Sequence, residues 1–269
     1  MSEAALETLL RRDRVIVGAA LAAITVAAWL YLVHLASAMS DMAMPDMPTM
    51  PGMAMALPSM HAWSWVEVGV LAVMWTVMMV AMMTPAAAPM ILMFATMHRR
   101  RIAEGRAAAP TAIFILGYLV VWAIYSVVAA LAQAGLHAAA LLAPAMVATS
   151  PLLAGGLLVA AGVFQWTPLK RACLAACRSP LSFLMTGWRE GSAGAFVMGL
   201  RHGLYCLGCC WVLMALLFVA GVMNLLWVAA IAAAILVEKV VPRGDLVGSV
   251  AGVVLVAAGV LLVARGVIG

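Results

Sequence analysis

Charged residues are scarce in this chain. Of its 269 residues, 9% are Asp, Glu, Lys or Arg, whereas 67% are hydrophobic and the mean hydropathy is +1.15. A soluble globular domain carries about 25% charged residues, so this composition excludes one. The sequence therefore predicts an all-α, polytopic helical membrane protein with a single transmembrane domain over residues 1–269.

Motifs for energy coupling and hydrolysis are missing as well. The chain has no GxxxxGK[ST] phosphate-binding loop, no convincing carboxylate pair and no serine elbow. ATP-driven transport and ordinary hydrolytic catalysis therefore have no support, and we expect a protein that is not an enzyme.

Seven apolar runs approach the length of about 20 residues that a helical span needs. They cover residues 15–37, 65–97, 110–135, 151–169, 203–221, 224–241 and 246–264. Nearly all Lys and Arg residues fall on one side of this arrangement, and Arg265 falls on the other. The positive-inside rule then places the amino terminus in the cytoplasm and the chain in a bacterial inner membrane. The net charge of +5 reflects this topology rather than binding to nucleic acid.

Two features of the apolar runs indicate whether the first one is cleaved off and where helices pack closely. The first run is longer than the apolar core of about 7 to 15 residues in a signal peptide, so we expect it to stay as an anchor. Gly199 with Gly203, and Gly248 with Gly252, have the four-residue spacing that lets helices approach closely.

Methionine dominates the predicted external loop, residues 38–62. Residues 39–61 contain eight methionines among Pro, Ser and Asp. A thioether stays neutral and forms no disulfide, so it suits capture of Cu(I) in an oxidising compartment, whereas a disordered connector does not call for methionine. The candidate ligands in this loop are Met42, Met44, Met47 and His61.

The second apolar run carries a methionine stripe. Its eight methionines, between residues 74 and 97, fall within about half of a helix circumference. Methionine is also a flexible filler of apolar interiors, so packing is the alternative. Pro85 and Pro89 predict a kink or a helix that continues past the membrane. The candidate ligands in this stripe are Met74, Met78, Met79, Met82, Met83 and Met90.

The fifth run opens with RHGLYCLGCCWVLM, which places four donors on one helix face. His202, Cys206, Cys209 and Cys210 lie within an arc of about 100°. Thiolates suit Cu(I), zinc and iron–sulfur clusters, and the abundant thioether favours Cu(I). The alternative is that free cysteine acts as a small buried hydrophobe.

A second pair of thiols lies in the predicted cytoplasmic segment, residues 170–202. Cys173 and Cys177 are one helical turn apart and are flanked by basic residues, which favour the thiolate. The sequence leaves open whether this pair meets the three cysteines of the fifth run.

Four blocks together resemble a bacterial family of predicted metal-binding integral membrane proteins of unknown function. They are MVAMMTPAAAPMI, TPLKRACLAACRSP, GLYCLGCCWVLM and AILVEKVVPRG, and the resemblance covers roughly residues 65–245. It implies metal binding and leaves the metal and the activity open. Within the last block, Glu238 and Lys239 are expected to form an interfacial ion pair that helps to fix the topology.

These patterns favour a Cu(I)-binding membrane protein that imports copper or delivers it inward. Expected partners are membrane lipid, the metal ion, and a periplasmic or cytoplasmic copper chaperone or cuproenzyme. One alternative is a membrane thiol–disulfide oxidoreductase that uses Cys206, Cys209 and Cys210, although the external side has no cysteine to exchange with. Another is an assembly subunit whose soft residues only pack.

Overall fold

The described part of the chain is helical. The structure, a computed structural model, describes residues 3–42, 63–106, 109–142, 148 and 150–268. Within these residues the only β pairing is an isolated bridge between Leu142 and Ala148, so the all-α expectation is confirmed for them. The helices are α1 (Glu3–Met42), α2 (Trp65–Ala103), α3 (Thr111–Ala138), α4 (Pro151–Phe164), α5 (Pro168–Arg178), α6 (Pro180–Gly187), α7 (Gly191–Ala215), α8 (Leu217–Ala220), α9 (Leu225–Val240) and α10 (Gly244–Ile268).

Local sequence signals set several helix starts. Ser64 and Glu67 form a capping box at the start of α2, in which each side chain bonds the other's backbone N–H. Thr167 caps α5, and Asn224 caps α9 by accepting from the backbone N–H of Trp227. These caps satisfy backbone donors that would otherwise lie unpaired at the helix ends.

Glycine lets two pairs of helices pack closely, α3 on α7 and α4 on α10. A Cβ added at Gly199 would lie 2.0 Å from the carbonyl oxygen of Phe114, and one added at Gly203 would lie 2.9 Å from Val121 Cβ. On the other pair, a Cβ at Gly252 would lie 2.9 Å from the carbonyl oxygen of Gly162. The close approach predicted from the glycine spacing is therefore present at both pairs.

Five helices within the described residues are long and apolar enough to cross a membrane: Arg12–Ala38, Trp65–Ala103, Thr111–Ala138, Gly191–Ala220 and Gly244–Gly266. The pair α4 and α5, bent by 62°, adds a sixth if it is one span. The remaining predicted run corresponds to α9, which has 16 residues. The number of seven spans therefore stays a prediction.

Two predicted boundaries differ from the structure. Helix α7 begins at Gly191, well before residue 203, and its stretch around Phe196 and Gly199 packs against α3. Residues 170–202 therefore contain α5, α6 and the first half of α7. Helix α2 runs unbroken through Pro85 and Pro89 for 39 residues, about 58 Å, which is longer than the roughly 30 Å hydrocarbon core.

Ion pairs gather several helix ends at one end of the molecule. Arg99 pairs with Asp13, so the start of α1 lies beside the end of α2. Arg101 pairs with Glu190 just before α7. This end carries the basic residues that the sequence assigns to the cytoplasm.

The expected ion pair between Glu238 and Lys239 is wrong. Glu238 Oε2 lies 2.6 Å from Nζ of Lys170, and both side chains are buried. Gln165 completes this network, since its Nε2 donates to Glu238 Oε1 at 3.0 Å and its Oε1 accepts from Lys170. Adjacent residues on a helix point about 100° apart, so Lys239 faces a different neighbour.

Candidate metal centre

Helix α7 presents its four predicted donors to the interior. His202, Cys206, Cys209 and Cys210 are all buried, with at most 2% of their surface exposed. They occupy one face of the helix, and α3, α5 and α9 contact α7. The predicted clustering on one face is therefore present.

Cys206 is at the middle of this group. Its Sγ accepts a hydrogen bond of 2.8 Å from Lys239 Nζ on α9. It also lies 3.2 Å from the hydroxyl of Tyr118 on α3. An ammonium and a phenol beside one sulfur favour negative charge on that sulfur, which is the form that binds a soft metal.

Cys209 and Cys210 direct their thiols at the backbone. Both donate to the carbonyl oxygen of Cys206, at 3.1 Å and 3.0 Å. No three His, Cys, Asp or Glu side chains among the described residues are arranged to hold a metal ion together. A metal would therefore require these thiols to rotate away from the carbonyl.

The two cysteines of α5, Cys173 and Cys177, lie near the three cysteines of α7, a point that the sequence left open. Helix α5 packs on α7. Cys177, the other cysteine of α5, is partly buried and packs against the core to which Cys206 and Cys209 belong. Cys173 packs against Gly208, where an added Cβ would lie 2.7 Å from its Sγ. Helices α5 and α7 therefore bring the five cysteines together in one packed region of the molecule.

His202 has an unusual environment. Both ring nitrogens are buried, and neither has a hydrogen-bond partner among the described residues. The ring lies among aromatic side chains, with its centroid 5.5 Å from that of Tyr118 and 5.9 Å from that of Phe183. A buried imidazole without partners carries a desolvation cost, which a metal bound at one nitrogen would offset.

The methionine stripe lines the interior side of α2. Its six candidate ligands are buried, with exposures of 9% for Met74 and at most 1% for the other five, Met78, Met79, Met82, Met83 and Met90. Tyr118 connects the stripe to the cysteines, because its hydroxyl donates to the Met83 carbonyl at 3.2 Å and also contacts Cys206. Burial fits both ligation and packing, so the ligand role of these methionines stays a prediction.

The candidate ligands of the external loop cannot be placed in the same way. Met44, Met47 and His61 lie outside the described residues. Met42 is the last residue of α1, and its side chain is not described.

A cavity of about 1000 Å³ lies at the end of α2 opposite its arginines. Its lining includes Met74, which is the first residue of the stripe, and Met223 and His137. Gln133 also lines it and accepts a 2.7 Å hydrogen bond from the indole of Trp75. The stripe therefore extends from this cavity towards the cysteines.

Sequence reasoning missed two residues of the site. Tyr118 gave no signal, since a single tyrosine in an apolar run is ordinary. Lys239 is visible in the sequence, but a cation near the end of a predicted span is typical of the membrane boundary, so the sequence predicts an interfacial position for it. Its burial depends on how α9 packs against α7, which spacing along the chain does not reveal.

Comparison with known proteins decides the family. A model of the family described as PpoB2, copper chaperone, matches residues 72–262, which include the methionine stripe and all five cysteines. The chain belongs to this PpoB2 family. No curated protein and no solved structure matches it. The family description agrees with the predicted metal and with a role other than catalysis, and it gives no support to the thiol–disulfide oxidoreductase alternative.

Proposed function

We propose that this PpoB2 family member is an integral membrane protein that receives Cu(I) on the external side and passes it inward along α2 to a thiol site. The observation that carries the proposal is the burial of His202, whose two ring nitrogens have no hydrogen-bond partner among the described residues, on the helix face that also carries Cys206, Cys209 and Cys210. Soft sulfur with imidazole is the donor set that Cu(I) prefers, and copper is the metal that the family description names.

The receiving site consists of Cys206 and the donors around it. Cys206 accepts a hydrogen bond from the ammonium of Lys239, and Cys177 lies on α5, which packs against α7. Cys209 and Cys210 reach the metal by rotation about their Cα–Cβ bonds, which breaks two weak bonds to a backbone carbonyl. Cu(I) tolerates low coordination numbers, so two or three of these donors suffice.

The route to this site follows the methionines of α2. Copper enters at the cavity that Met74, Met223 and His137 line, and the loop that contains Met44 and Met47 supplies it from outside. Neutral thioethers bind Cu(I) more weakly than thiolates do, so each transfer inward is to a stronger ligand. No nucleotide-binding motif is present in the sequence, so this gradient of affinity replaces ATP as the driving force.

The ion is then delivered to an acceptor. We infer that a cytoplasmic copper chaperone or a cuproenzyme takes Cu(I) from the thiols, with the chain held in the bacterial inner membrane by its apolar helices. Thiolate exchange permits such transfers without release of free copper, because the acceptor's thiolate binds before the donor's leaves.

An anaerobic titration tests the receiving site. The purified protein is titrated with Cu(I) against a chromophoric competitor, together with the triple variant Cys206→Ser, Cys209→Ser and Cys210→Ser. We expect tight stoichiometric binding in the wild type and its loss in the variant. Cys173→Ser is the matched control and should bind normally, since Cys173 packs on Gly208. Absence of tight binding in the wild type would refute the proposal.

Copper accumulation in cells tests the route separately. Met78, Met82 and Met83 are replaced together by Leu, a nearly volume-conserving change that retains the fold. We expect accumulation to fall while Cu(I) binding at the thiols is retained. Met185→Leu, on the exposed surface of α6, is the control and should accumulate copper normally. Unchanged accumulation in the triple variant would assign the stripe to packing.

A further inference from the structure

Lys239 is a buried cation inside a site that should bind a cation. Its side chain lies in the interior with 8% of its surface exposed, and its Nζ is 2.8 Å from Cys206 Sγ. An ammonium has no lone pair and cannot bind a metal. Sulfur and imidazole chemistry alone therefore does not explain why this residue is in the site.

The position of Lys239 is set by its neighbour on α9. Glu238 is held by Lys170 and Gln165, which fixes the rotation of α9 about its axis. The carboxylate of Glu238, the residue before Lys239, is thus paired with Lys170 on another face of the helix. The ammonium instead donates to the sulfur of Cys206 on α7.

Thiolates by themselves do not choose between Cu(I) and divalent ions such as zinc, because both bind sulfur well. A fixed positive charge does choose, since its repulsion grows with the charge of the bound ion. One monovalent ion with two thiolates leaves a net charge of −1, which one ammonium neutralises. One divalent ion with the same ligands leaves an uncompensated positive charge in the interior, which is costly.

We propose that Lys239 makes the thiol site selective for monovalent soft cations over divalent ones. This inference rests on the proposed function, because it assumes that the cysteines bind the cargo. At about 5 Å and an effective dielectric constant of about 20, one additional unit of charge on the ion lowers affinity by roughly 300-fold. Lys239 is a positioning residue in this scheme, since it acts through Cys206 and the field around it.

The test measures a ratio of affinities. Full-length protein in detergent, kept anaerobic, is titrated with Cu(I) and separately with Cd(II), whose thiolate complexes absorb in the ultraviolet. We expect Lys239→Met to reduce the preference for Cu(I) over Cd(II) by about 300-fold, and Lys239→Arg to retain it. When both ions are bound by the same two thiolates, the cost of forming the thiolates is common to both and cancels in the ratio.

Two outcomes separate this inference from the function on which it rests. If the wild type binds no Cu(I), the proposed function fails and the inference fails with it. If the wild type binds Cu(I) and Lys239→Met retains the ratio, the site stands and the selectivity role of Lys239 is overturned. Lys239→Gln keeps an N–H donor for Cys206 without the charge, so an unchanged ratio in this variant overturns the role where the Met variant does not fold.

Discussion

At the scale of single residues, a substitution at His202 distinguishes a metal ligand from a histidine that only packs in the core. Replacement by Phe removes both nitrogens and retains a ring that can stack with Tyr118 and Phe183. We expect equal or greater thermal stability, because two unsatisfied buried nitrogens are lost. Affinity for Cu(I) should fall at least about tenfold, the loss that even a misoriented ligand causes.

The control for this substitution is His98→Phe. His98 also has a buried Nδ1 without a partner among the described residues, and it stacks on Phe94 away from the cysteines. Its replacement should leave the competition titration unchanged. A His202→Phe variant that binds Cu(I) as the wild type does would assign His202 to the core.

The buried pair Lys170 and Glu238 makes a second prediction at this scale. Lys170→Met leaves the Glu238 carboxylate buried without its cation, which costs about 3 to 5 kcal/mol of folding free energy. A denaturant or thermal unfolding series in detergent measures this loss. The double variant Lys170→Met with Glu238→Leu removes both charges and should recover most of the stability. If the double variant is as unstable as the single one, loss of the ion pair between Lys170 and Glu238 is not the cause of the instability.

The residues that the sequence identified and those that it missed differ in one physical respect. His202, Cys206, Cys209 and Cys210 share a face because of helical spacing, which is local information. The partners of Glu238 and Lys239 come from α5 and α7, more than thirty residues away along the chain. Such pairing depends on how each helix is rotated about its axis and packed against its neighbours. That rotation cannot be predicted from the spacing of residues in one sequence.

At the scale of helices, the contact between α3 and α7 positions the site. Gly199 faces the Phe114 backbone so closely that any Cβ would displace one helix. We expect Gly199→Ala to destabilise the protein by about 1 to 3 kcal/mol and to weaken Cu(I) binding, since Tyr118 and Cys206 lie on these two helices. Thermal unfolding and the competition titration measure the two effects.

Gly156→Ala is the matched control for this helix contact. No atom lies within 4 Å of a Cβ added at Gly156 on α4. Alanine favours the helix by up to about 1 kcal/mol over glycine, so this variant should be as stable as the wild type or more so. Equal stability of the Gly199 and Gly156 variants would mean that α3 and α7 can move apart without loss.

Helix boundaries were the less predictable feature at this scale. The methionine stripe and long α2 follow from a hydropathy pattern that continues through Pro85 and Pro89. Residues 191–202 contain three glycines, one arginine and one histidine, so hydropathy assigns them to a cytoplasmic segment. They are helical because Gly199 allows α3 to approach, and such a tertiary contact outweighs local propensity.

At the scale of the whole molecule, the number of spans decides on which side the chain ends. Seven spans place the carboxyl terminus outside, opposite the amino terminus, whereas six place both in the cytoplasm. The difference depends on α9, whose 16 residues reach about 24 Å, short of a hydrocarbon core of roughly 30 Å. Glu238 and Lys239 are buried at its last turn, whereas Leu226 near its start is 83% exposed, so α9 turns one face to the bundle and the other outward.

Reporter fusions measure this topology directly. We expect alkaline phosphatase fused after Gly269 to be active, and a fluorescent protein that folds only in the cytoplasm to be dark at the same position. Fusions after Arg106 should give the opposite pair of results, because that loop follows the arginines that end α2. A fluorescent carboxyl-terminal fusion would mean an even number of spans. In that case the geometry of the thiol site would be unchanged. Helix α9 would begin and end on the same side of the membrane. The inward transfer of copper would then need a different path past α9.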